Sequence, residues 1–359
     1  MHGASLPAAD LNRRNEASWQ SYDQEKEERG MNYSYKDLGL VNTAEMFRKA
    51  YEGGYTVPAF NFISIEQLNA IMDAVIEKNS PVILLASPNL HRQLGHEMIA
   101  RIVQSGVDRI THEGLKIPVA LHLDHGMTRE QCVLAVENGF SSIMIDGSAK
   151  PFEENIALTK EVSEYAHGLD VTVEAELGIL SGEEEGGSAG AGEVPCESKY
   201  TDPLRAEEFI RRSGCDSLAV SVGTCHGLVK MKPGPDGKLP GLRFDILEHI
   251  RENCPGFPLV LHGASNIAPE YVEMINEHGG HIEQTAGIPD DQVRLAASTN
   301  VCKVNIATDG WICALAHTRR ILDENPGAID SRVFTLKTRP LLKELYLHKI
   351  DIMGSENKA

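Results

Sequence analysis

Short apolar runs alternate with helix-like stretches along most of this 359-residue chain. The runs are Val57 to Phe62, Val82 to Ala86, Val119 to Leu123, Ser142 to Ile145, Val171 to Leu177, Ser217 to Val222, Leu259 to Leu261 and Val301 to Ile306. They read as strands. Between them lie helical patterns over Ile65 to Lys78, Glu97 to Gly106, Arg129 to Gly139, Glu153 to His167, Pro203 to Gly214, Phe244 to Asn253, Pro269 to His278 and Asp290 to Ser298. Repeated strand-helix units predict an α/β fold, either a doubly wound sheet or a closed parallel barrel. Eight units favour the (β/α)8 TIM barrel. Residues 1 to 35 are polar and weakly patterned and read as an N-terminal extension. Residues 36 to 359 read as one barrel domain that includes C-terminal helices. Pro326, Arg332, Arg339 and Pro340 suggest that the region after Trp311 forms several helices rather than one.

The polar residues strengthen the barrel reading. At or just after each predicted strand stands an unusual group: Asn61, Ser87, Asp124 with His125, Asp146 with Gly147, Glu174 and Glu176, Gly223 to His226, His262 to Ser265, and Asn305 to Asp309. In a barrel all of these ends converge on one rim, where active sites of this architecture are built. Two loops break the rhythm. Ser181 to Lys199 is acidic at first (Glu183, Glu184, Glu185) and then glycine-rich, as in a lid over an active site. Leu228 to Gly241 reads as a hairpin-like excursion on the same rim.

Composition narrows the functions. Lys and Arg number 34 against 52 Asp and Glu, a net charge of -18. That balance argues against nucleic acid or an anionic membrane as the main partner, but not against an anionic substrate held at a locally positive site. No apolar run approaches the ~20 residues of a membrane span. The N-terminus has no apolar signal core, and its acidic residues argue against a transit peptide. Seven cysteines, none in a Cys-x-x-Cys pair, argue against a disulfide framework and fit a reducing, cytoplasmic setting.

The rim groups suggest chemistry. His125, His226 and His262 follow three different strands, and each precedes a glycine. Three imidazoles with one open position make a catalytic zinc site. Any one alone reads equally as a helix cap or a packed histidine. His122 shares the side of Asp124, two residues on, and reads as packing or as support for a ligand. Glu174 and Glu176 also share a side. If that side is the barrel interior, they need a cation, a metal-bound histidine or water; otherwise they are solvated carboxylates at a strand end. Gly223 to Gly227, Gly263 to Ser265 and Asn305 to Asp309 offer small residues, hydroxyls and backbone N–H groups suited to phosphate.

Taken together, the segments Val57-Pro58-Ala59-Phe60-Asn61, Leu121-His122-Leu123-Asp124-His125-Gly126, Val173-Glu174-Ala175-Glu176-Leu177-Gly178, Gly182-Glu183-Glu184, Gly223-Thr224-Cys225-His226-Gly227, Leu261-His262-Gly263-Ala264-Ser265 and Lys303-Val304-Asn305 are similar to the class II, zinc-dependent ketose-bisphosphate aldolases. This is the fructose- and tagatose-bisphosphate aldolase group, and the likeness runs from about residue 38 to 354. The resemblance implies that His125, His226 and His262 hold Zn2+, which polarises the substrate ketone and stabilises the enediolate of dihydroxyacetone phosphate. It implies that Asp124 exchanges the proton of the hydroxyl that becomes the aldehyde, and that Glu184 exchanges the proton on the enediolate carbon. Glu176 resembles an alternative metal ligand. Gly227 and Gly263 resemble backbone ligands of a monovalent cation, Na+ or K+. Gly263, Ser265, Asn305 and Thr308 would hold the dihydroxyacetone phosphate end, with Asn61 and Ser87 also on the substrate side. Arg332 resembles an arginine that enters a neighbouring subunit's site, which implies a homodimer or homotetramer.

Several positions depart from the family pattern. Ala307 stands where fructose-bisphosphate enzymes usually carry Asp and resembles the tagatose-bisphosphate members. Asn266 replaces a common glycine, Ser331 a common proline, and Ser87-Pro88-Asn89-Leu90 lacks the usual glycine-alanine pair. The implied reaction is cleavage of a ketose bisphosphate, fructose or tagatose type, to dihydroxyacetone phosphate and an aldehyde such as glyceraldehyde 3-phosphate. The alternatives are an aldolase for a related sugar-acid or sulfosugar phosphate, and a barrel that binds without catalysis.

Overall fold

The computed structural model describes residues 33–180, 200–231, 239–283 and 285–359. The expected lid at Ser181 to Lys199 and half of the second excursion, residues 232–238, lie outside the described residues. Eight parallel strands close into a barrel in sequence order: β1 (Val57–Asn61), β2 (Val82–Ala86), β3 (Val119–Gly126), β4 (Ser142–Ile145), β5 (Thr172–Leu177), β6 (Ser217–Val220), β7 (Leu259–Leu261) and β8 (Val301–Ile306). β8 pairs back onto β1, with Ala59 opposite Asn305. Among the described residues no helix is long and apolar enough to cross a membrane.

The two-residue alternation of each strand separates two apolar layers. Phe60, Leu84, Leu121 and Val304 face outward into the layer shared with the surrounding helices. Val57, Ala59, Ile83, Leu85 and Ala120 form a separate cluster with Met46, Phe47 and Ala50 of the helix Ala44–Gly53. That helix closes the barrel floor, at the end opposite the polar rim.

β3 and the C-terminal region depart furthest from the sequence reading. β3 runs on through Asp124, His125 and Gly126, because Gly126 O still accepts from Asp146 N at 2.8 Å beyond an irregularity in the pairing with β4. The C-terminal region forms two helices, Thr308–Glu324 and Arg332–Met353, and Pro340 lies inside the second instead of ending it. The carbonyl freed by the missing N–H belongs to Leu336, which is exposed, so water can satisfy it. The last residues assigned to the extension are packed on the body: Tyr33 pairs with Asn138, and Tyr35 is buried with its hydroxyl donating to Asp170. Among the described residues, Cys132, Cys215, Cys302 and Cys313 are buried free thiols and Cys254 is a partly buried one.

Polar contacts help to fix the helix Arg332–Met353 to Ile65–Lys78. Tyr346, fully buried, accepts from Gln67 Nε2 at 2.7 Å. Asp73 receives Arg339 Nε at 2.7 Å and Nη2 at 2.8 Å, and it also pairs with Arg109. Burial raises the Asp73 pKa, but the two guanidiniums outweigh it and hold the carboxyl below its ordinary 3.8. Asp73→Asn should therefore cost about 1–3 kcal/mol in urea unfolding at neutral pH. A depressed folded-state pKa stabilises only while the group is ionised. The deficit should be complete above pH 3.8 and shrink as pH falls from there through the lower folded-state value.

Candidate active site

Adjacent residues of a regular strand face opposite ways, yet both Asp124 and His125 line the same cleft. The irregularity at the end of β3 accounts for this. His125 has φ +54, a conformation sparsely populated by residues other than glycine, and the pairing with β4 shifts register between Leu123 and Gly126. Such a bulge re-aims a side chain, and such strain gathers at functional sites.

The three rim histidines converge. Ligand atoms of His125, His226 and His262 lie within 4.8 Å of one another, with ring centroids 4.7 to 6.3 Å apart. His125, Asp146 and Glu176 form a second group within the same reach. Each histidine has a distinct setting. His125 Nδ1 faces Asp146 Oδ2 at 3.1 Å. His226 is pushed well below its ordinary pKa by burial and by the charges of His125, Lys230 and His262. His262 Nε2 donates to Glu174 Oε1 at 2.8 Å. Burial lowers the His262 pKa, but Glu174 and Glu176 outweigh it and raise it.

Asp124 is buried beside them. Asn61 Nδ2 donates to its Oδ2 at 2.8 Å and Asn305 Nδ2 to its Oδ1 at 3.0 Å. Burial alone would raise its pKa; the positive charge of His125, Lys303 and His262 and the Asn61 hydrogen bond bring it below the ordinary value. Glu176 behaves oppositely, pushed up to about 7 by burial and by the charge of Asp146. Glu174 is held far down by the Lys303 ammonium and the His262 hydrogen bond, which outweigh its burial. Both glutamates thus face the interior and are buried: Glu174 is hydrogen-bonded there by His262 and Lys303, whereas Glu176 Oε2 stands 3.4 Å from His262 Nδ1.

Donor chemistry fits a metal. His262 Nδ1 and Glu176 Oε2 are buried and 3.4 Å apart, yet neither has a hydrogen-bond partner. Two such atoms left bare inside a protein are costly unless a proton, a water or a metal ion joins them, and a metal would serve both at once. The Nε2–H of His262, anchored on a carboxylate, leaves Nδ1 as the lone-pair nitrogen, as in metal-binding histidines.

The cleft that these groups line also contains Asn61, Ser87, Gly263, Ser265, Asn305 and Thr308. Ser87 additionally caps the helix Pro88–Leu94 through Leu90 N. Gly227, in the left-handed region, follows His226 but does not line the cleft. Arg332 stands apart: it is exposed, paired with Asp330, and outside the cleft of its own chain. Glu184 lies outside the described residues. Residues the sequence reading left without a role also line the cleft: Lys230, buried, and Trp311. Lys303, fully buried beneath it, was legible as a lone charge inside the apolar run Val301 to Ile306. A roomier cavity of about 450 Å³ opens at the other end of the barrel, among Tyr35, Tyr55, Pro81, Pro118 and Lys358, and has none of these groups.

Fold and site together define a barrel enzyme whose mouth carries a metal-type donor set beside an ionised acid. A family model described as "Fructose-bisphosphate aldolase class-II" matches residues 41–358. The fructose-bisphosphate aldolase of Treponema pallidum is 45% identical over 337 residues, covering 91% of this chain and 99% of that protein. That of Helicobacter pylori is 37% identical over 319 residues, covering 89% and 99%. Among solved structures, the YdjI aldolase from Escherichia coli K12 superposes with a TM-score of 0.68 at 30% identity, covering 89% of this chain and 99% of that one. The chain belongs to the class-II fructose-bisphosphate aldolase family. It is an aldolase, a carbon–carbon lyase of a generally metal-dependent class whose substrates are phosphorylated sugars.

Gly263 tests the geometry. It has φ +65, and a Cβ there would stand 2.5 Å from the Cys225 carbonyl oxygen, a backbone atom beside His226. Gly263→Ala should destabilise the protein by about 1–3 kcal/mol in thermal unfolding. By displacing the loops that bear two histidines, it should also lower kcat/KM by about 100-fold.

Proposed function

We propose that this protein is a zinc-dependent aldolase that cleaves a ketose 1,6-bisphosphate, of fructose or tagatose type, to dihydroxyacetone phosphate and an aldehyde such as glyceraldehyde 3-phosphate, and that catalyses the reverse condensation. The observation that carries this reading is the convergence of His125, His226 and His262 beside a buried Asp124 held by two amides. Three nitrogen donors suit zinc. When bound, the metal supplies a Lewis acid for the ketone oxygen of the substrate.

The chain's own groups do the rest. Asp124 takes the proton from the hydroxyl oxygen that becomes the aldehyde oxygen, and returns it in condensation. Asn61 and Asn305 fix the carboxylate plane, each through one N–H. Glu184 exchanges the proton at the carbon left by the departing aldehyde. Glu176 would be an alternative ligand of the metal. Gly263, Ser265 and Thr308 offer donors to the phosphate of the dihydroxyacetone phosphate end, together with Lys230 and the N-terminus of the helix Thr308–Glu324. Backbone atoms of Gly227 and Gly263 would hold a monovalent cation, Na+ or K+, near that phosphate. Ser87 lies on the substrate side. Arg332, exposed and not part of its own cleft, serves a neighbouring subunit in a homodimer or homotetramer. The domain runs from residue 36 to 359 with an extension before it, and the setting is cytoplasmic.

A panel of ketose phosphates, including fructose and tagatose 1,6-bisphosphates, tests the reading. Zinc-loaded protein should cleave at least one member. A chelator should lower the rate by about 100-fold or more, and added zinc should restore it. Zinc-loaded protein that cleaves none would overturn the proposal. A related sugar-acid or sulfosugar phosphate is the second reading, favoured by the substrate-side position Ala307, which lines the cleft.

Ala307 also bears on stereochemistry. Ala307→Asp should raise the ratio of activity on fructose over tagatose bisphosphate by about 10-fold. An unchanged ratio would remove the position from the argument. The helix Thr308–Glu324 has no side-chain cap at Ala307, and Asp there would add about 0.5–2 kcal/mol of stability. The ratio, which stability does not touch, is therefore the measurement.

A further inference from the structure

Beneath the three imidazoles lies a row of charged side chains that the reaction does not call on directly. Lys303, in the middle of β8, has no exposure to solvent. An ammonium there is strongly unfavourable unless it is paired and hydrogen-bonded. Its Nζ donates to Glu174 Oε2 on β5 at 2.6 Å and to His122 Nε2 on β3 at 3.3 Å. The other oxygen of Glu174 accepts from His262 Nε2 on β7 at 2.8 Å. His122 Nδ1 meets Ser142 Oγ on β4 at 2.8 Å.

The direction of every bond in this row follows from Lys303, because an ammonium has donors only. His122 Nε2 must accept, so its proton sits on Nδ1 and points to Ser142. Glu174, neutralised by the ammonium, remains a carboxylate and can only accept. The neutral His262 ring, the form that can bind a metal, therefore carries its proton on Nε2. Its Nδ1 lone pair is left facing Glu176 and the other two imidazoles.

We propose that Lys303 is a positioning residue of the metal centre: acting through Glu174, it fixes His262 in the tautomer that presents Nδ1 as the ligand atom. This rests on the reading of the three histidines as metal ligands. A purely structural Lys303 would neutralise Glu174 without any effect on metal affinity.

The experiment compares wild type, Lys303→Met, Glu174→Gln and the double variant, each as the full chain. Zinc affinity is read by competition with a chromophoric chelator, and the His262 tautomer by nitrogen-15 NMR of the zinc-free protein. Lys303→Met should bind zinc about 10–100-fold more weakly than wild type. The double variant should match Glu174→Gln, since the lysine acts only through the glutamate. Saturating zinc should recover most of the kcat of Lys303→Met, which a collapsed barrel would not allow. Wild type should show the proton of His262 on Nε2. Unchanged zinc affinity in Lys303→Met overturns the proposal, as does an additive loss in the double variant. If Lys303→Met does not fold, the comparison of Glu174→Gln with the double variant decides: equal affinities support the proposal and a further loss overturns it. If wild type binds no zinc, the metal reading itself fails. The tautomer measurement then decides alone, and a proton on Nδ1 of wild-type His262 overturns the assignment.

Discussion

Side chains alternate across a strand, and in a closed barrel that alternation sends every second residue into a space that water does not fill. Inside this barrel the inward positions climb from apolar to charged to reactive in steps of two. Ala120, His122 and Asp124 follow one another on β3, and Lys303 precedes Asn305 on β8. At the floor, Val57, Ile83 and Ala120 pack on the helix Ala44–Gly53. Above them Lys303 joins His122 and Glu174, and at the mouth stand Asn61, Asp124, Glu176 and Asn305. The middle tier keeps each charge satisfied and hands orientation upward. His262 is held from below by Glu174, and Asp124 by two amides at its own level. A rigid acid beside rigid imidazoles is the condition for transferring a proton without first reorganising the site.

The alternation is also a restriction, and the site exists because it is broken once. A regular β3 could offer Asp124 or His125 to the mouth but not both. The left-handed conformation of His125 and the slipped pairing with β4 release the chain from that choice, and Gly126 follows where any Cβ would meet the Met144 carbonyl. The His-Gly pairing at 262 and 263 has a comparable cause, since a Cβ at Gly263 would meet the Cys225 carbonyl just before His226. Glycine after histidine here marks loops that approach closely enough for their imidazoles to meet.

Much of this was written in the chain. The eight apolar runs gave every strand, and β2, β4, β7 and β8 ended where expected. Polar residues at strand ends pointed to one rim, and the cleft there contains most of them. What the sequence hid is of another kind. Periodicity continues through a bulge only by hydrogen bonding, so the true end of β3 could not be read. Pro340 reads as a stop, but whether a freed carbonyl reaches water depends on tertiary surroundings. Lys230 reads as an ordinary solvated lysine beside a Pro/Gly-rich excursion, and only the folded loop shows it buried in the cleft.

Charge supplies the last constraint. On the proposed function, a chain of net charge -18 binds a substrate that carries two phosphates. Among the described residues lining the cleft, Lys230 is the one ammonium or guanidinium. Lys303 cannot contribute, being sealed beneath and committed to Glu174. One phosphate can therefore be met by Lys230, by the start of the helix Thr308–Glu324 and by loop N–H groups, which attract an anion without adding net charge. The second lacks a cationic partner among these lining residues. Arg332, exposed and bound only to Asp330 of its own chain, is free to answer that need in an adjacent subunit at the cost of one exposed ion pair. Assembly would then complete electrostatics that one acidic barrel leaves unfinished. The proposed neighbouring-subunit role of Arg332 follows from this shortage of cations as well as from its likeness to a family motif.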